Sequence, residues 1–73
     1  MTQKTIDFVE TNLAVLRLNV GRKNWLDAAG QFTYAMGGVH ALSQHGVMSQ
    51  SEADEVERRL AAVWRGDRAE LPL

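Results

Sequence analysis

Residues 28–51 read AAGQFTYAMGGVHALSQHGVMSQS and contain no Asp, Glu, Lys or Arg. Apolar residues recur at helical spacing through and just before this stretch, which predicts one helix over about 24–45. Its apolar stripe comprises Trp25, Ala28, Ala29, Phe32, Ala35, Met36, Val39 and Leu42. A helix in water normally carries charge on its outer side, and a helix without it is normally buried. We therefore expect this helix to be covered on every face.

Both ends of the central helix carry specific boundary signals. Asn24 is a favourable N-cap, and Asp27 three residues later lies near the positive end of the helix dipole. Gly46 suits the C′ position, which often takes a left-handed conformation. Leu42 and Val47 then occupy the two positions whose apolar contact accompanies a Schellman motif.

The segments on either side predict two more helices, over about 5–20 and 49–65. The first has an apolar stripe at helical spacing, and Gly21 is predicted to be the left-handed residue that ends it. Ser49 and Glu52 form a capping box for the other, with Ser51 and Asp54 as an alternative register. The two stripes are Ile6, Val9, Leu13, Leu16 and Val20, and then Ala53, Val56, Leu60 and Val63, with Trp64 beside them. The fold class is therefore all-α, a three-helix chain built on a helical hairpin, with a tail over 66–73.

The chain has 73 residues, no cysteine and a formal net charge of −1. It is one domain, and a single core of this size supplies only about 3–5 kcal/mol of net stability. Neither disulfides nor a thiolate metal site can add to that without cysteine. Association with a second copy is predicted instead, which would give a homodimeric helical bundle.

Small residues on the second face of the central helix are the predicted dimer or partner interface. Residues without large side chains let another backbone approach closely, and an aromatic among them is a typical interface anchor. The predicted interface comprises Gly30, Tyr34, Gly37, Gly38 and Ala41, with Leu71 and Leu73 of the tail. Two alternatives remain open: the glycines relieve crowding within the monomer or mark a kink, and Tyr34 is a core residue whose hydroxyl reaches the rim.

Large apolar residues on the three stripes are predicted to anchor the core. They are Trp25, Phe32, Val39, Leu42, Leu60 and Trp64. Because both tryptophans lie near helix ends, they are interpreted as caps over the bundle and not as ligand platforms. Four arginines could form a basic edge, but the acids just before them favour a solvated face. These are Arg58, Arg59, Arg65 and Arg68.

No residue pattern predicts catalysis, a cofactor or a metal. Ser43, Ser49 and Ser51 have no base and orienting group at a suitable spacing. His40 and His45 are five residues apart, which is not the i, i+4 spacing that places two imidazoles on one metal. An enzyme is therefore not expected.

The first residues lack a basic-then-apolar signal, and no apolar run is long enough to span a membrane. A cytoplasmic location is the resulting expectation. The near-zero net charge does not favour nucleic acid as a partner.

The leading hypothesis is a dimeric protein-binding module that inhibits or modulates another protein. The alternative is a small helix-turn-helix DNA-binding regulator, because three short helices with a glycine turn suit that motif. Its recognition helix would begin with four acids, which phosphates would repel. These acids are Glu52, Asp54, Glu55 and Glu57.

The stretch FTYAMGGVHAL over 32–42, continuing through Gly46 to Arg59, resembles the helix–glycine–capped-helix hairpins of very small phage proteins that disarm host factors. These include anti-activators of quorum sensing, and anti-CRISPR proteins fit the same outline. The resemblance covers the second half of the chain. It implies an inhibitor of a host regulator acting in the host cytoplasm, and it transfers no individual functional residue.

Overall fold

The computed structural model describes residues 1–66, which form three helices and contain no strand. Helix α1 spans Gln3–Gly21, α2 spans Trp25–Gln44 and α3 spans Gln50–Gly66. Each helix packs against both of the others. The all-helical prediction is confirmed, and the helix bounds lie within two residues of the expected ranges. Within the predicted tail, residues 67–73, including Leu71 and Leu73, lie outside the described part of the chain.

The core lies along the axis where the three helices meet. Its largest fully buried side chains are Leu13, Leu16, Val39, Met48 and Leu60. Each helix contributes residues at three- and four-residue spacing, so the helical period alone brings these side chains to one side. Met48 is the exception, because it comes from the turn between α2 and α3 and closes that end of the core.

The predicted stripe of α1 begins differently from the expectation. Ile6 is exposed, whereas Thr5 is buried. Thr2 caps the helix by accepting a hydrogen bond on Oγ1 from the Thr5 N–H, 3.2 Å away. The two threonine hydroxyls are also 3.0 Å apart, so the buried Oγ1 of Thr5 has a polar partner.

The end of α1 corrects the prediction for Gly21. That residue remains helical, and Lys23 takes the left-handed conformation, with φ of +57°. The Lys23 N–H donates to the Val20 carbonyl at 3.0 Å, and the Asn24 N–H donates to the Asn19 carbonyl at 2.9 Å. This is the Schellman pattern shifted two residues along the chain. Helix α2 starts at once, with Asn24 at its N-cap position.

Asn24 does not cap α2 through its side chain as expected. Its Nδ2 atom instead donates to Asp27 Oδ2 at 2.7 Å, and no hydrogen bond joins its side chain to a backbone N–H of the first turn. The Asn24 backbone N–H already closes the preceding helix, and its carbonyl accepts from the Ala28 N–H. The same residue therefore ends one helix and begins the next through its backbone.

The predicted Schellman motif at the end of α2 is confirmed. The Val47 N–H donates to the Leu42 carbonyl at 2.9 Å, and the Gly46 N–H donates to the Ser43 carbonyl at 3.1 Å. Gly46 has φ of +73°, a conformation that glycine adopts without a steric cost. The tight turn places Met48 in the core and leads directly into α3.

The capping box of α3 is also confirmed. The Glu52 N–H donates to Ser49 Oγ at 3.1 Å, and the Ser49 N–H donates to Glu52 Oε1 at 2.9 Å. The pKa of the Glu52 carboxyl is lowered, mainly by the hydrogen bond from the Ser49 N–H. The Ser49 side chain and the amino group of Met1 lower it further. Each of these donors favours the ionised carboxylate.

Candidate functional site

Helix α2 has two sides with different surroundings. Its inward side buries Ala28, Ala35 and Val39 between α1 and α3. The Phe32 ring stacks on the Trp64 indole of α3, with centroids 5.4 Å apart and an interplanar angle of 11°. Such pairs add to the stabilisation that burial provides.

The predicted core anchors all lie on the inward side of their helices. Val39 and Leu60 are fully buried. The other four are partly buried and pack against the core: Trp25, Phe32, Leu42 and Trp64.

The opposite side of α2 is exposed along its whole length, and Asp27, at its margin in the first turn, is the one Asp, Glu, Lys or Arg among the exposed residues of α2. We call it the α2 outer face and define it by Leu26, Gly30, Thr33, Tyr34, Gly37, His40, Ala41 and Gln44. Leu26 is 84% exposed and Tyr34 is 66% exposed. A side of a helix that meets water along five turns normally carries charge, so this face is unusual for a solvated surface.

The glycines of α2 divide into two kinds. A Cβ atom added at Gly30 or Gly37 would have no neighbour within 4 Å, so neither glycine relieves crowding among residues 1–66. A Cβ at Gly38 would collide with the end of the Phe8 ring. Gly38 is half-buried and permits the close approach of α1, so we assign it to packing within the monomer and not to the interface predicted for it.

Tyr34 lies at the edge of the α2 outer face nearest to α1. Its ring centroid is 6.3 Å from that of Phe8, and the planes are tilted by 50°. The contact holds one side of the ring while most of the side chain faces solvent. An aromatic fixed in this way presents apolar area at a small cost in conformational entropy.

Beside this edge, a groove of about 510 Å³ opens between the start of α1 and the end of α2. Its walls include Phe8, Gly38, Ala41 and Leu42, with Val47 from the following turn. Lys4 also lines the groove and is exposed. The groove is thus mainly apolar and has one cation at its margin, and Ala41 belongs both to it and to the α2 outer face.

Asn12 and Gln31 form a polar link between α1 and α2 that the apolar pattern did not predict. Asn12 is buried, and its Nδ2 atom donates to the Phe8 carbonyl at 2.7 Å. Gln31 Nε2 donates to Asn12 Oδ1. The position of Asn12 on the flank of the apolar stripe of α1 was the sequence signal for a buried polar residue. Its partner, Gln31, is identified only by the packing of α1 against α2.

Leu26 was also absent from the expected interface, although its position contains a signal. Leu26, Gly30, Thr33, Gly37, His40 and Gln44 follow one another at alternating four- and three-residue steps. This spacing places them along one seam of the helix. The predicted interface was based on the small residues, so it omitted Leu26, the large apolar residue at the end of the same seam.

The charged residues of α3 are balanced in sign, and Asp54, Glu57, Arg58 and Arg65 line a second groove beside Met36 of α2. Arg59 pairs with Glu10 of α1 at 3.1 Å, and Arg58 pairs with Glu55 at 2.9 Å. These pairs are solvent-exposed and contribute little stability individually. Asp54 and Glu55 are exposed in the first turns of α3, where a recognition helix would have to approach phosphates. Arg68 lies outside the described residues.

Residues 1–66 contain no cluster of three His, Cys, Asp or Glu side chains placed to hold a metal ion. Across the same residues, no helix has the length and apolarity needed to cross a membrane. Comparisons with protein-family models, with curated proteins and with solved structures find no match. Function is therefore inferred from the chemistry of the α2 outer face and its neighbouring groove.

Proposed function

We propose that the protein is a small protein-binding module that self-associates through the α2 outer face and modulates another protein by direct contact. The observation that carries this proposal is the continuous exposed side of α2, which has no Asp, Glu, Lys or Arg beyond Asp27 at its margin. Interfaces are depleted of charge at their centres and enriched in aromatic anchors, and this face has both properties.

The two open glycines support the same proposal. Glycine within a helix costs about 0.5–1 kcal/mol relative to alanine. Neither Gly30 nor Gly37 gains a packing contact within residues 1–66 that would offset this cost. Close approach of another helix is a physical reason to have no side chain at these two positions.

Leu26 adds a third line of support. It is the most exposed of the large apolar side chains in the described residues. Burial of a leucine side chain is worth about 1.5–3 kcal/mol, so a partner that covers it gains substantially.

The second part of the proposal concerns what the module acts on. An inhibitor or adaptor of a regulatory protein, of the kind that phages direct against host factors in the cytoplasm, fits a small chain whose exposed chemistry suits contact with protein. The exposed acids at the start of α3 argue against the DNA-binding alternative, since phosphate contacts dominate affinity for DNA.

Size-exclusion chromatography with light scattering over a dilution series tests the self-association. We expect a mass near twice 8.1 kDa at high concentration. Gly37→Leu should shift the dilution curve toward the monomer while the helical circular dichroism is retained, because the added side chain separates the two α2 outer faces. Ala14→Leu is the matched control, since it adds the same side chain at an exposed position of α1. A monomer at every concentration, or equal effects of the two variants, would refute the proposed interface.

A further inference from the structure

We infer that the second copy docks antiparallel, so that Leu26 of each copy enters the groove beside Ala41 of the other. This inference rests on the proposed self-association and adds to it the orientation of the pair and the residue that fills the groove. Leu26 lies in the first turn of α2, whereas Ala41 lies in the last. The exposed apolar side chain and the apolar groove are therefore at opposite ends of one helix.

A single chain cannot bring these two features together. The 15-residue separation corresponds to about 22 Å along a straight helix at 1.5 Å per residue. A two-fold axis perpendicular to α2 places the first turn of each helix beside the last turn of the other. Both Leu26 side chains then lie beside a groove in the same dimer. A parallel pair would leave both grooves open and place the two Leu26 side chains beside each other at one end.

The glycines allow the necessary close approach. In the antiparallel arrangement, the middle of each helix, between Gly30 and Gly37, faces the middle of the other. Packed helices are normally 8–10 Å apart, depending on the side chains at the contact. Hydrogen in place of side chains at these two positions permits the closer end of this range, at which Leu26 of one copy would lie beside Ala41 at the mouth of the other copy's groove.

Charge favours the same orientation. Asp27 follows Leu26 and is the only Asp, Glu, Lys or Arg within α2. Lys4 lines the groove, and neither residue has an ion pair among residues 1–66. Antiparallel docking brings Asp27 of one copy toward Lys4 of the other. Parallel docking would place two Asp27 carboxylates at the same end, where they repel each other.

Cysteine cross-linking tests the orientation in a chain that has no native cysteine. Leu26→Cys and Ala41→Cys chains are oxidised separately and as a mixture, at a concentration where light scattering gives the dimer mass. We expect the mixture to form a disulfide that peptide mapping assigns to positions 26 and 41. A disulfide requires Cα atoms closer than about 7 Å, so one helix cannot form it internally. The separate chains should cross-link far more slowly.

Two outcomes overturn the orientation while leaving self-association intact. One is rapid disulfide formation by Leu26→Cys alone, which indicates a parallel pair. The other is a dimer mass by light scattering without any link between positions 26 and 41, even with a short bis-maleimide. A monomer at all concentrations would instead refute the proposed function on which the inference rests.

A charge exchange provides a second test with a readout that a purely structural role would not give. Asp27→Lys and Lys4→Asp should each weaken self-association about two- to fivefold at low ionic strength. The double variant should recover most of the loss, because the attraction between the two copies is restored with reversed signs. Failure of the double variant to recover would contradict the placement of Asp27 beside Lys4 of the second copy.

Discussion

Gly37 and Gly38 are neighbours in sequence but lie in different surroundings. Gly38 faces α1, where the Phe8 ring occupies the space that a side chain would need. Gly37 points to solvent, and a Cβ there would meet no atom within 4 Å. Gly38 is explained by packing within the monomer. Gly37 has no such explanation, and the proposed second copy supplies one.

The same division extends along α2 as a whole. The inward side is covered by α1 and α3 and needs residues that fill space, such as Val39. The α2 outer face presents an exposed leucine, a tyrosine and two open glycines, and Asp27 at its margin is the only Asp, Glu, Lys or Arg of the helix. Helices α1 and α3 cover only part of the circumference of α2, so the two sides respond to different requirements. Substitutions on each side should therefore affect different measurements.

The largest effect should come from Gly38→Leu. The added side chain must displace Phe8, and overpacking of this kind typically costs about 1–3 kcal/mol. Urea unfolding followed by circular dichroism measures the loss, and Gly37→Leu at concentrations where the protein is monomeric is its neighbour control. Phe8→Ala in the Gly38→Leu background should recover part of the loss by making room. Equal destabilisation by the two leucines would abolish the distinction between the glycines.

An intermediate effect is expected for Ser49→Ala, which removes one half of the capping box. Loss of an N-cap serine costs about 1 kcal/mol. This variant should lower the free energy of unfolding without changing the orientation or affinity of self-association, since Ser49 lies outside the α2 outer face. If the dimer weakens as much as it does with Gly37→Leu, general destabilisation and not a specific interface would explain the glycine result.

The capping box also predicts a pH dependence. Because folding lowers the pKa of the Glu52 carboxyl, its contribution to stability is complete above the pKa of the unfolded chain. That contribution is lost as the pH falls through the lower folded value. Carboxyl NMR titration should show the pKa of Glu52 rising in Ser49→Ala, while Glu52→Gln should keep the cap and remove this titration. An unchanged pKa in Ser49→Ala would contradict the role of the serine side chain.

A smaller effect of opposite sign is expected for Gly37→Ala. Alanine is the better helix former, so the dilute monomer should gain about 0.5–1 kcal/mol. Self-association should become weaker, because even one methyl group keeps the two helices apart. Thermal unfolding at low concentration and light scattering at high concentration measure the two changes separately. A stabilised monomer with an unchanged dimer would place Gly37 outside the contact.

The smallest effect is expected on a heparin column. The balanced charge and the acids of α3 predict that the protein elutes at low salt, together with its Gly37→Leu variant. Strong, salt-dependent retention would favour the helix-turn-helix alternative.

Much of the fold could be predicted from local signals. The stop at Gly46 and the start at Ser49 each follow from a few neighbouring residues whose backbone partners are close in sequence, and both formed as expected. The prediction that Gly21 is the left-handed residue at the end of α1 was wrong, because the local pattern does not distinguish Gly21 from Lys23 as the site of the turn. The structure closes the turn two residues later, where Asn24 serves both helices.

The candidate site could be predicted only in part. The absence of charge between Asp27 and Glu52 identified α2 as the unusual element, and helical spacing placed Gly30, Tyr34 and Gly37 on its second face. Gly38 was grouped with them because a helical period cannot indicate which neighbouring side chain occupies the adjacent space. The groove could not be predicted from spacing, since its walls come from α1, α2 and the turn at Val47.

The amino-acid sequence by itself determined that this protein is helical, where its helices begin and end to within two residues, and which helix lacks a solvated face. These properties follow from periodicity and from hydrogen bonds within a few residues of each other. Only the tertiary structure decided that Gly38 packs on Phe8, that Gly37 remains open and that Leu26 lies at the opposite end of α2 from the groove. Those facts depend on how three helices approach one another in space, because contacts between distant residues are set by packing and not by local sequence.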